Sequence, residues 1–168
     1  MNAEFKRMME LAGLAEIKVN EPTPPSIHSR IKRLGQELKS LVINADNSKK
    51  RSEIAITIAN LVLRVIPEKY DTFIKTTSTK IVQELNAYLE DPTEERKNSI
   101  LSLIKGLERK GYTHEGHYDF DGNYSWSTPD LAISAIYNAA QSIFSDNISS
   151  NFAPDKAYKL ALQASIKI

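Results

Sequence analysis

The chain has 168 residues, 41% of them apolar and 26% charged, with 22 Lys and Arg against 21 Asp and Glu. That arithmetic describes one ordinary domain, long enough to bury about two-thirds of its unfolded surface without a metal or disulfide. The absence of cysteine excludes disulfides, Cys-based zinc sites, iron–sulfur clusters and thiol nucleophiles.

From Met1 to Gly13, Phe5, Met8, Met9 and Ala12 recur at helical spacing, with Asn2 as cap and Gly13 as stop. Glu4, Lys6, Arg7 and Glu10 interrupt the apolar stretch that a secretory leader requires. Three prolines in Pro22-Thr23-Pro24-Pro25 forbid helix and favour a stiff spacer. Residues 1–20 therefore read as an amphipathic helical arm and 21–25 as its spacer. Residues 26–168 read as a single domain.

That domain opens at Ser26, an N-cap, followed by Ile27, Ile31, Leu34, Leu38 and Leu41 as an apolar seam running to about Asn44. A second helix carries Ile54, Ile58, Leu61 and Val65, with Ala55, Ile56, Ala59, Val62 and Leu63 around the rest of it, which marks it as central. A third is expected from Pro67, with Tyr70, Ile74, Thr77, Ile81, Leu85 and Tyr88 inward. Asp91-Pro92-Thr93-Glu94-Glu95 signals the start of a fourth, which presents Ile100, Leu103, Ile104 and Leu107 and stops at Gly111.

Residues 112–127 break the helical period. They are aromatic-rich and alternate with a period near two, and Asp121-Gly122-Asn123 is turn chemistry. A three-residue loop there sets Phe120 opposite Tyr124 and Tyr118 opposite Trp126, with the four rings on one face against the helices. Thr128-Pro129-Asp130 then opens a helix with Leu131, Ala132, Ala135, Ile136, Ala139, Ala140 and Ile143, and a last helix, roughly Ala153 to Ile166, begins at Pro154 and carries Ala157, Leu160, Ala161 and Ala164. The expected fold class is all-α: a five-helix bundle with one inserted aromatic β-hairpin and an N-terminal helical arm.

Three constellations carry chemistry. His114, His117, Asp119 and Asp121 fall within eight residues and are ligand types for zinc or manganese, although strand alternation separates His114 from the other three. Asp119, Asp121, Asn123, Ser125 and Asp130 also overlay a calcium-loop spacing, which Tyr124 spoils where that loop requires glycine. The second constellation is basic: residues 26–51 hold seven Lys/Arg against two Asp/Glu, and Arg30, Arg33, Lys49, Lys50 and Arg51 are the residues that would meet phosphates. The third is the arm, whose Phe5, Met8, Met9 and Ala12 suit a groove on a partner protein. No nucleotide loop, nucleophile elbow or zinc-helix motif is present, so neither an enzyme nor a cofactor is expected. No apolar run approaches the roughly 18 to 20 residues of a membrane span, and the expected location is the cytoplasm.

Phe5-Lys6-Arg7-Met8-Met9-Glu10-Leu11-Ala12-Gly13-Leu14 resembles the N-terminal segment of uncharacterised proteins from tailed phages, chiefly marine, in which the pattern reads R-M-x-x-L-A-G. The resemblance covers residues 1–19. It implies a phage-encoded protein, in the host cytoplasm or the virion, and in related phages such segments act as addresses that carry internal proteins into the assembling head. A fainter likeness, around Ile58–Glu90 and Ala132–Ala140, is to all-α immunity proteins of bacterial toxin systems. The expected function is thus a non-enzymatic protein-interaction module docking through its arm. A nucleic-acid-associated protein using residues 28–51 is the alternative, and a metal-dependent activity at 114–121 or an immunity-type inhibitor the third reading.

Overall fold

A computed structural model of the protein describes residue 3, residues 25–144 and residues 148–166. Phe5, Met8, Met9 and Ala12 of the expected arm lie outside the described residues. The described chain folds as α1 (Ile27–Lys39), α2 (Ser48–Val62) with a 3-10 turn at Leu63–Val65, α3 (Thr72–Glu90) and α4 (Glu94–Glu108). A small sheet follows, of β1 (Tyr112–Thr113), β2 (Gly116–Tyr118) and β3 (Tyr124–Ser125), and then α5 (Thr128–Gln141) and α6 (Ile148–Ile166). The architecture is helical with one small antiparallel sheet. Among the described residues there are six helices, not five: the C-terminal segment begins at Ile148, holds Pro154 inside it, and packs as a full member of the bundle.

Helix boundaries follow their caps. Ser26 caps α1, accepting from the Ser29 amide at 3.1 Å. Thr93, one residue before the two acids of the first turn, does the same for α4 through the Arg96 amide at 3.2 Å. The third helix starts at Thr72 instead of Pro67, because Asp71 caps it through the Ile74 amide at 3.1 Å. Lys75 meanwhile satisfies the carbonyls left open before it, at Leu63 and Ile66.

The centre of the molecule is α5, in which every residue from Asp130 to Ala140 is buried. Its alanines 132, 135, 139 and 140 and the alanines 157, 161 and 164 of α6 are all buried, and the two helices pack against each other, a pairing that small side chains favour. α2 packs across both, α1 closes over α2 and α6, and the α3–α4 pair covers another side of α5. The α1–α6 contact is tight enough that a Cβ on Gly35 would stand 2.0 Å from the Tyr158 ring. His28 Nδ1 and Ser165 Oγ meet 2.8 Å apart across the same seam.

The sheet lies over the N-terminal end of α5, with β1 and β2 touching it and β1 also touching α4. Its register differs from the expected one: His117 pairs with Ser125 and Tyr118 with Tyr124, leaving a loop at 119–123. Asp119 builds that loop by accepting the amides of Asp121 and Asn123, each at 2.9 Å. Gly111 makes the entry to β1 possible, with φ +94° and its would-be Cβ 2.2 Å from the Tyr118 carbonyl oxygen.

Candidate functional site

The two-residue change of register keeps every side chain on its own face, but the sheet lies the other way up from expectation. Tyr112, His117 and Ser125 point toward α5, whereas Phe120, Tyr124 and Trp126 are exposed. The four rings are therefore not buried against the helices as expected: three are exposed and Tyr118 is half-buried. The cause sits in the first turn of α5, where Asp130 is 5% exposed. A buried carboxylate requires donors, and the sheet supplies them.

Asp130 Oδ1 accepts from the hydroxyls of Tyr70 at 2.8 Å and Tyr112 at 2.6 Å. Oδ2 accepts from Ser125 Oγ at 2.5 Å and Ser127 Oγ at 2.8 Å. The positive end of the α5 dipole adds to their effect. Burial pushes the Asp130 carboxyl up, but the hydroxyls of Ser125, Tyr112, Tyr70 and Ser127 outweigh it and hold the group below the ordinary carboxylate range. The phenols respond in the opposite sense. Burial, and then donation to Asp130, push Tyr70 up to about 12 and raise Tyr112 further still.

His117 completes the cluster by stacking on Tyr112, with ring centres 4.2 Å apart. Its Nε2 donates to the Lys110 carbonyl at 2.9 Å. Its Nδ1 lies 3.3 Å from Asp130 Oδ2 without forming a hydrogen bond. The group thus ties the residues before α3, the end of α4, all three strands and the start of α5 to one carboxylate. With two donors on each oxygen and almost no exposure, Asp130 has no free lone pair to offer a molecule arriving from solvent.

Above this polar layer the outward rings form a ladder. Tyr118 and Tyr124 stand 4.2 Å apart, and Tyr124 stacks on Trp126 at 5.2 Å. The Tyr118 hydroxyl donates to that of Tyr124, which donates to Glu115 Oε2 at 2.8 Å. Phe120 is fully exposed at the tip between Asp119 and Asp121, both also exposed. On the side facing α6, a cleft of about 240 Å³ is lined by His114, Glu115, Trp126, Lys156, Lys159, Leu160 and Gln163.

The metal candidates are not brought together. His117 is committed to Lys110 and faces Asp130, His114 lies edge-on to Tyr137, Asp119 holds the loop and Asp121 is exposed. Among the described residues no three His, Asp or Glu side chains converge on a point that could hold an ion. Of the basic candidates, Arg30, Arg33, Lys49 and Lys50 are exposed, with Lys50 3.9 Å from Glu37. Arg51 leaves that surface: it is 3% exposed, donates to the carbonyls of Leu38 and Leu41 at the end of α1, and pairs with Asp155 of α6. Its guanidinium is a helix cap.

Sequence reasoning placed Asp130 at a helix start and in a calcium-loop overlay but missed its role as a buried hub, and it missed the cleft lysines. Ser127-Thr128-Pro129-Asp130 has the spacing of a capping box, which was the available signal for the first. Lys156, Lys159 and Gln163, three and four apart, share one helix face, which was the signal for the second. No family model, curated protein or solved structure matches the chain. Among the described residues no helix is long and apolar enough to cross a membrane.

Proposed function

We propose that this chain is a non-enzymatic, phage-encoded interaction module whose bundle holds out an acidic aromatic hairpin for a basic segment of a protein partner. The observation that carries this reading is the inverted sheet, with Phe120, Tyr124 and Trp126 outward among Glu115, Asp119 and Asp121. Exposed rings of this size on one tip are a feature of contact surfaces. Ring faces beside carboxylates suit a guanidinium, which stacks on the one and pairs with the other. The saturated hydrogen bonding of Asp130 supports a rigid platform in preference to a reaction centre. In this reading residues 1–20 are a second contact, supported by the resemblance of residues 5–14 to phage segments.

The test is titration of the full chain with a labelled nonapeptide of alternating Arg and Gly, followed by anisotropy. Saturable binding is expected, weakened about tenfold in Phe120→Ser/Asp121→Asn, a loss of about 1.4 kcal/mol, with the unfolding midpoint unchanged. Equal binding by that variant, or equal binding of a lysine peptide that salt abolishes, overturns the reading. Dimerisation of the parent chain that Phe120→Ser removes would replace the partner with a second copy, its Arg30, Arg33, Lys49 and Lys50 occupying the tip.

A further inference from the structure

The cleft between the sheet and α6 has the opposite charge character to the hairpin tip. Lys156 and Lys159 stand one turn apart on one helix face, close enough for both ammonium groups to meet a single anion. Among the described residues neither is paired with a carboxylate. Glu115, the only acid among the described residues that line the cleft, is engaged by the Tyr124 hydroxyl.

Trp126 forms a flat wall, half exposed and steadied by stacking on Tyr124. Buried Leu160 gives the cleft an apolar floor, and Gln163 adds an amide able both to donate and to accept. His114 also lines the cleft.

A flat apolar wall, a polar edge and two adjacent cations together describe a planar heteroaromatic ring carrying a phosphate. About 240 Å³ lies just under the usual range for small-molecule pockets, roughly 300–1,000 Å³, and matches one such unit better than a polymer. The carboxylates of Asp119 and Asp121 beyond Trp126 would repel the next phosphate of a strand.

We infer that this cleft binds a nucleoside monophosphate, its base against Trp126 and its phosphate between Lys156 and Lys159. Gln163 meets the polar edge of the base. The cleft shares Trp126 and Glu115 with the docking reading, and the variants separate the two, because those at the tip leave Lys156, Lys159 and Gln163 intact.

Trp126 is the only tryptophan in the chain, so its fluorescence reports on this cleft. AMP titrated into the full chain should quench it saturably. Adenosine, ribose 5-phosphate and inorganic phosphate should each bind at least about tenfold more weakly, since each lacks half of the recognition. Lys156→Ala/Lys159→Ala should lower AMP affinity about tenfold or more and leave adenosine unaffected, with the unfolding midpoint unchanged. Lys156→Arg/Lys159→Arg should restore it, and Phe120→Ser should not change it. No saturable response up to about 10 mM AMP, an equal response in the double alanine variant, or phosphate binding as well as AMP would each overturn the inference.

Discussion

The bundle and the sheet bury their side chains for different reasons. Between α2, α5 and α6 the interior is isoleucine, leucine and alanine, and each large side chain is held by the area it removes from water, worth about 1.5–3 kcal/mol. Beneath the sheet the interior is two phenols, two hydroxyls, an imidazole and a carboxylate, and each is held by the partner it satisfies. An apolar contact can be re-made in many orientations, whereas a carboxylate with two donors on each oxygen accepts one. The sheet consequently turns the hydrophobic rule inside out: three of its largest rings face water so that smaller polar groups can reach Asp130.

The contrast can be broken most sharply at its centre. Asp130→Ala leaves the hydroxyls of Tyr70 and Tyr112 without their acceptor, one of them in a fully buried side chain, and should cost about 3–5 kcal/mol. Hydrogen exchange distinguishes this from ordinary core damage. The amides of Tyr118 and Asp119, bonded at 2.9 and 2.8 Å within the sheet region, should lose protection in Asp130→Ala. In Ile58→Ala, which should cost about 2–5 kcal/mol by cavity formation, they should stay protected below the global unfolding limit.

Titration sharpens the same comparison without mutation. Asp130 is held below its ordinary value of 3.8, so the hub contributes fully above that pH and its contribution is lost as pH falls below it. Tyr70 is raised from 10.0 to about 12, so its contribution is full below pH 10 and lost as pH rises through about 12. Urea midpoints across both ranges should fall at each end, and Asp130→Asn should remove part of the acid limb. The smallest effect belongs to the outer face. Phe120→Ser should change stability by less than about 0.5 kcal/mol, because the ring it removes is fully exposed. A larger loss would mean that the tip supports the fold.

The same division explains what the residues disclosed in advance. Apolar spacing located the helices, and Ser26 declared its cap, because both are local and repeat every turn. The hairpin was placed but its face was reversed. Alternation marks which residues share a side without saying which side is down, and the deciding group, Asp130, belongs to the next helix. Arg51 looked like part of a basic run because charge is visible along the chain. Its partner, Asp155, lies 104 positions away. Lys156 and Lys159 acquire a role through Trp126, just past a strand they approach only in three dimensions.

The seam between α1 and α6 carries a consequence for synthesis. Gly35 against Tyr158, His28 with Ser165 and Arg51 with Asp155 all join the beginning of the bundle to its far end. At about 5–20 residues per second, the ribosome delivers the end of α6 roughly 6–25 s after the end of α1. Until then Ile31 and Leu38, fully buried in the finished molecule, have only α2 for company once it too has been made, and no lid. Arg30 and Arg33, exposed on α1, give that helix a charged outer side while its apolar side waits for α6.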